Sequence, residues 1–189
     1  ENYKSIAMEN GELKKEMPAE IEFRMKLQNF TTLLSRTPAA NELQKTPDGK
    51  AMYLPIDFVE TSLDELFYGL WETKNFEWKP IANEITASIT LRVFHPTANV
   101  WIERIGTASI AVMVDKAPDN LVGQDRNRWA LDVGNKKPNA LDMGLPKLKT
   151  DCIKNAALSL GNVFGRNINR KLNDTYKPLT KWTQPQITQ

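Results

Sequence analysis

The sequence has one cysteine, Cys152, and one histidine, His95. A single thiol cannot form an internal disulfide, and these two residues cannot supply the ligand set of a structural zinc site. No run of about 18 apolar residues could cross a bilayer, and Glu1 to Asn10 lack the basic-then-apolar order of a signal peptide. We therefore expect a soluble, intracellular protein that does not insert into a membrane.

A Gly-x-x-x-x-Gly-Lys-Ser/Thr phosphate loop is also missing. Gly161 and Gly165 lack the lysine and the preceding strand that such a loop needs, and they are better explained as residues that end and bend a helix. This absence disfavours reactions driven by ATP. We expect a protein without a nucleotide, metal or other cofactor.

Charge is distributed unevenly along the chain. Residues 1–122 contain 13 Lys/Arg and 18 Asp/Glu, a balance of −5, whereas residues 123–189 contain 12 and 5, a balance of +7. A basic half beside an acidic half favours a polyanion site, a head-to-tail contact between subunits, or both. A lysine-rich solvated surface without a partner is the alternative that charge alone leaves open.

The apolar pattern divides the chain into a leading segment and one main domain. Apolar residues at helical spacing from Ile21 to Leu34 predict an amphipathic helix, and a loop rich in Pro and Gly follows it. We assign residues 1–45 to an N-terminal tail and helix, 46–182 to one domain and 183–189 to a tail. Within the domain, Ser62 to Leu70 predicts a short helix with Ser62 as its N-cap.

The fold class predicted for the domain is α+β. Ile85 to Phe94 alternate apolar and polar residues, which is typical of a half-buried strand, and Val100–Ile105 and Ala108–Val114 predict two more. We expect a three-stranded antiparallel meander. Residues 117–144 then predict a long mobile loop, and an apolar face between Pro146 and Gly161 predicts a helix that packs on the sheet.

The last part of this helix carries a resemblance to a known family. The sequence TDCIKNAALSLGNVFGRNI, from Thr150 to Ile168, resembles the core of the Rad fifty-two family of single-strand annealing proteins. That family's helix has a Ser-x-Gly-Asn-x-x-Gly ending, matched here by Ser159, Gly161, Asn162 and Gly165. The three preceding strands with Gly106, and the stretch FYGLW before them, extend the resemblance over roughly residues 63–170.

The resemblance implies both an architecture and an activity. It implies a β-β-β-α unit that assembles into a ring or arc and holds single-stranded DNA in a basic groove. The implied activity is annealing of complementary strands without ATP, in recombination and repair. A bacteriophage or prophage protein in the cytoplasm of a bacterial host fits this size, with a single-strand-binding protein or an exonuclease as candidate partner proteins.

The resemblance also implies which residues contact DNA. The family's first basic contact falls on Lys154, but the next two fall on Asn155 and Leu158, which are not basic. We expect basic residues that flank the helix to compensate for this loss. Trp129 and Tyr176 are candidates for base stacking, with ordinary packing as the favoured alternative. The flanking basic residues are Lys136, Lys137, Lys147, Lys149, Arg166, Arg170 and Lys171.

Two other functions are left open by the sequence. Pro55, Asp57 and the trio Glu72-Thr73-Lys74 loosely match the Pro-Asp…Glu-x-Lys pattern of a Mg²⁺-dependent nuclease, in which two carboxylates hold the metal ion. The match is weak because Glu-x-Lys is common by chance. The second alternative is a ring-forming scaffold with little affinity for DNA.

Overall fold

The structure is a computed structural model that describes residues 18–170 and, for their backbone alone, the two short strands near the N-terminus. The predicted tail 183–189, the end of the predicted domain, Lys171 and Tyr176 lie outside the described residues. The chain forms an α+β fold in which a three-stranded antiparallel sheet packs on a long helix, as predicted. None of the helices described is long and apolar enough to cross a bilayer.

Seven strands are described in chain order. Their bounds are β1 Met8–Glu9, β2 Glu12–Leu13, β3 Gln44–Lys45, β4 Met52–Tyr53, β5 Trp71–Ile81, β6 Glu84–His95 and β7 Val100–Ala111. β1 and β2 pair with each other, β3 and β4 form a second small hairpin, and β5, β6 and β7 form the main sheet in that order, with both pairs antiparallel.

Four α-helices accompany these strands. The predicted N-terminal helix is confirmed, while the third helix lies in the stretch for which we predicted a loop. A 3₁₀ turn, Asn162–Phe164, follows the last helix. The helix bounds are α1 Ala19–Ser35, α2 Ile56–Phe67, α3 Gly123–Leu131 and α4 Ala140–Leu158.

The strands of the sheet differ from those predicted, although their number is correct. β5 was missed because its sequence, WETKNFEWKPI, is mostly exposed and has a bulge between Lys74 and Glu77 that interrupts the alternation. The predicted second and third strands are one strand, β7, which runs through Gly106 without a break. Gly106 marks a close helix contact instead of a strand end, since a Cβ there would lie 2.0 Å from the Cys152 carbonyl oxygen.

The starts of two helices also differ from the prediction, and a third helix was not predicted. α2 begins after Pro55, six residues before the predicted start, so Ser62 is a buried residue inside the helix and not its N-cap. α4 begins at Ala140, so Pro146 lies inside it. Pro146 cannot donate to the carbonyl of Asp142, and because Asp142 is an exposed residue, the position tolerates the loss of this helical hydrogen bond. The predicted loop contains α3, which has no buried residue and hence no apolar period to detect.

The core lies between the sheet and α4. Alternate residues of β6 are buried, and they face the apolar side of α4, where Leu148, Cys152 and Ala156 are fully buried. The N-terminal helix joins the same core through Phe30, whose ring lies 5.7 Å from that of Phe67 and 4.7 Å from that of His95. The opposite face of the sheet is not covered by any helix in the part of the chain that is described.

Candidate nucleic-acid interface

An open groove lies beside the C-terminal half of α4. Its other walls are β4 and residues 162–170, which we call the C-terminal segment. The volume of the groove is about 440 Å³. We call it the cationic groove, because its lining contains three basic side chains and one carboxylate. It is lined by Met52, Tyr53, Leu54, Val59, Asp151, Lys154, Asn155, Leu158, Phe164, Gly165, Arg166, Ile168, Asn169 and Arg170.

Lys154 is oriented into the groove by the packing of α4. Because Cys152 and Ala156 are fully buried against the sheet, the helix cannot rotate, and Lys154 lies on its outward side. The Nζ of Lys154 is 2.9 Å from Oδ1 of Asp151 and 5.4 Å from the centre of the Tyr53 ring. The second distance permits a cation–π attraction. The ammonium is thus held between a carboxylate and an aromatic face.

Arg166 closes the end of α4. Its Nε donates to the carbonyl oxygen of Leu158 at 2.9 Å, and its Nη2 donates to that of Ser159 at 2.7 Å. The last carbonyls of a helix carry partial negative charge that would repel a phosphate, and the guanidinium neutralises them. A guanidinium has five N–H groups, so three remain for a ligand in the groove.

The C-terminal segment is held in place by Asn169 and by a glycine. The Asn169 side chain accepts from the Met52 backbone N–H at 2.9 Å and donates to the Met52 carbonyl at 2.7 Å, which joins the segment to β4. Gly165 has a φ of 91°, and a Cβ there would lie 2.7 Å from Ile168 Cδ1. The backbone conformation favours glycine at this position, whereas the contact alone could be relieved by a shift of the Ile168 side chain. Arg170 follows as an exposed residue at the end of the segment.

The Gly-Asn-x-x-Gly stretch that follows the helix, from Gly161 to Gly165, has a packing role in this fold. Gly161 allows α1 to approach, because a Cβ there would lie 2.4 Å from the Leu34 carbonyl oxygen. The Asn162 side chain donates to Thr37 Oγ1 at 3.0 Å and accepts from the Asn167 N–H at 3.3 Å. These contacts set the position of the C-terminal segment and therefore the shape of the groove.

No family model matches this sequence, and no curated protein matches it either. The resemblance to the Rad fifty-two family therefore stays a prediction.

The two positions where that family would have cations have other contacts here. The Asn155 side chain accepts from the backbone N–H of Thr107 at 3.0 Å, so it links α4 to the outer edge of β7. Leu158 is a half-buried residue of the groove wall. Arg166 and Arg170, two of the residues expected to compensate, line the same groove as Lys154.

The other predicted lysines that the structure describes do not line the groove. Lys147 lies next to it, with its Nζ 2.9 Å from Oδ2 of Asp151. Lys149 is exposed but lies about 200° around the helix axis from Lys147, so it points elsewhere. Lys136 donates to the Ala130 carbonyl at 2.8 Å and to Asn83 Oδ1, at the turn between β5 and β6. Lys137 is exposed beside it.

Tyr53 is the more accessible of the two aromatic residues that line the groove, since Phe164 is buried, and no sequence pattern indicated Tyr53. It lies on a two-residue strand, where no periodicity could indicate which way the ring faces, and its hydroxyl donates to Gln44 Oε1 at 2.9 Å. Trp129, a candidate for base stacking from the sequence, lies on α3 and is not part of the groove lining.

The residues of the nuclease pattern lie on opposite sides of the sheet. Glu72 is on β5, opposite Arg92, and its carboxylate is 3.0 Å from both Lys74 Nζ and Arg92 Nη1. The hydrogen bond from Lys74, followed by that from Arg92, lowers the pKa of Glu72. Asp57 is on α2, which packs on the other face of the sheet. Among the described residues, no three metal-ligating side chains come together.

Proposed function

We propose that this protein binds single-stranded DNA and anneals complementary strands without ATP, in recombination or repair within the cytoplasm of a bacterial host. The observation that carries the proposal is the cationic groove, where Lys154, Arg166 and Arg170 line the same cleft as the half-buried ring of Tyr53. The +7 balance of residues 123–189 supports it independently.

The chemistry of the groove suits a single strand. Cations that neutralise backbone phosphates give affinity without sequence preference, and a base can stack on the Tyr53 ring, since every base has an aromatic face. The groove is open on one side, so the remaining bases of a bound strand would stay accessible. A second strand could then test its pairing against them.

The proposal includes assembly of several copies into a ring or arc. β7 is an edge strand of 12 residues that pairs with β6 alone among the described strands, although one of its outward N–H groups, that of Thr107, already donates to Asn155. The uncovered face of the sheet also carries apolar side chains next to this edge, among them Trp101 and Ile105, which is 72% exposed. An unpaired edge beside an apolar patch is a suitable surface for another subunit.

The direct test measures annealing of two complementary labelled oligonucleotides without ATP. We expect the wild type to exceed the spontaneous rate, and Lys154→Ala to lose about tenfold in affinity for a single strand at low salt, because a phosphate contact disappears. Lys149→Ala is the matched control: it removes the same charge from the same helix but from a side that faces away from the groove.

Three results would contradict the proposal. A wild type that does not accelerate annealing rules out the activity. Failure to bind single strands at low salt favours the ring-forming scaffold. Cleavage of DNA that requires Mg²⁺ and disappears in Glu72→Ala favours the nuclease.

A further inference from the structure

The cationic groove contains one acidic group, Asp151. Among the described residues that line the groove it is the sole carboxylate. Its Oδ1 is 2.9 Å from Lys154 Nζ, and its Oδ2 is 2.9 Å from Lys147 Nζ. Each oxygen therefore binds one lysine, in the way that two oxygens of a phosphate would.

We propose that Asp151 is a built-in counterion that competes with DNA phosphates for Lys147 and Lys154, and thereby lowers the affinity of the groove for a single strand. The inference rests on the proposed function and concerns the same groove. A phosphate that approaches either lysine has to displace the carboxylate or share the ammonium with it. The two lysines together with Asp151 present a charge of +1 instead of +2.

The surroundings of Asp151 keep its carboxylate charged and close to the lysines. Burial alone would raise the pKa of Asp151, but the hydrogen bonds and the positive charges of Lys147 and Lys154 together outweigh burial and leave the pKa below its ordinary value. The side chains of Asp151 and Lys154 are each 27% exposed, so solvent screens this pair less than a fully exposed one. Lys147 is 67% exposed and can leave Asp151 more easily.

A lower affinity of the groove for a single strand would favour annealing. Two strands must slide and separate many times before their complementary registers meet, and a strand that is held too firmly cannot be exchanged. A carboxylate among the cations shortens the residence of each phosphate without removing the cations that attract the strand.

The test compares Asp151→Asn with the wild type in binding to an oligothymidylate at several salt concentrations. We expect Asp151→Asn to bind about three- to tenfold more tightly at low salt, with a slope of log affinity against log salt steeper by roughly one unit, because a freed lysine gains a phosphate contact. Dissociation measured with an excess of competitor strand should slow in proportion. Asp142→Asn is the control, since it removes one charge from the same helix nine residues away.

Unchanged or weaker binding by a folded Asp151→Asn would overturn the inference, and weaker binding would show that Asp151 positions the lysines for DNA. Should the amide disturb folding, as judged by thermal unfolding, Asp151→Ser removes the same charge with a smaller side chain and is judged by the same outcomes. If the proposed function itself were wrong, the result would be different. The wild type would fail to bind single-stranded DNA, or Lys154→Ala would bind it as tightly as the wild type.

Discussion

At the scale of single residues, the basic side chains of the groove differ in whether they also stabilise the fold. Arg166 neutralises the end of α4 and also lines the groove, so its replacement would disturb both stability and binding. Arg170 has no such structural contact among the described residues. A change in DNA affinity on replacing Arg170 is therefore easier to interpret than one on replacing Arg166.

Tyr53 offers a prediction about base stacking. Tyr53→Leu keeps an apolar side chain in the groove wall but removes the aromatic face, and stacking is worth about 1–3 kcal/mol per base. We expect it to weaken binding to an oligothymidylate at least about fivefold, as measured by fluorescence anisotropy of a labelled strand. The salt dependence should change little, because no charge is altered.

The control for this prediction is Tyr53→Phe, which keeps the ring and loses only the hydroxyl that donates to Gln44. It should bind nearly as well as the wild type. If Tyr53→Leu and Tyr53→Phe bind alike, stacking on this ring contributes nothing.

At the scale of elements, the contact between α4 and β7 fixes the position of the groove. The helix lies so close to the strand that a Cβ on Gly106 would be 2.6 Å from the Ala156 nitrogen as well as 2.0 Å from the Cys152 oxygen. Backbone atoms cannot give way as the end of a flexible side chain can. The helix would have to move away from the sheet, and Lys154 with it.

Gly106→Ala should therefore destabilise the protein strongly. Overpacking a tight contact typically costs about 1–3 kcal/mol, and a clash with backbone atoms belongs at or above the top of that range. The midpoint of urea unfolding measures this. Gly134→Ala is the control, because its Cβ would meet only Asp132 Oδ1 at 3.4 Å; equal midpoints for the two variants would contradict the close helix contact.

The elements that the sequence predicted well are those with a regular apolar period. α1, β6 and the second half of α4 each show one, and the structure contains all three. β5 and α3 show none because most of their side chains face solvent, so nothing in the local sequence marks them.

The groove was less predictable than the fold. Lys154, Arg166 and Arg170 were expected from charge and resemblance, and they lie together. Tyr53 lies beside them because distant parts of the chain are in contact, and a local sequence pattern cannot predict such a contact. Lys136 was chosen for its charge, yet its ammonium is occupied by Ala130 and Asn83, which only the three-dimensional arrangement reveals.

At the scale of the whole molecule, the proposed assembly predicts that the particle in solution has a larger mass than one subunit. Ile105→Lys places a charge in the apolar patch beside the edge of β7, so we expect it to reduce the mass measured by light scattering while the folded subunit keeps its circular dichroism spectrum. Val133→Lys is the control, since Val133 is 82% exposed on the turn after α3. A wild type that is monomeric at micromolar concentration would contradict the assembly.

The clamp between Asn169 and Met52 joins residues that are 117 positions apart in the chain. One wall of the groove is therefore synthesised early, and the wall that completes it is synthesised more than a hundred residues later. On the ribosome, a nascent chain has no finished groove until Asn169 has emerged, although most of its lysines are already exposed. The nucleic-acid binding that we propose for the groove therefore requires the chain to have been synthesised as far as Asn169.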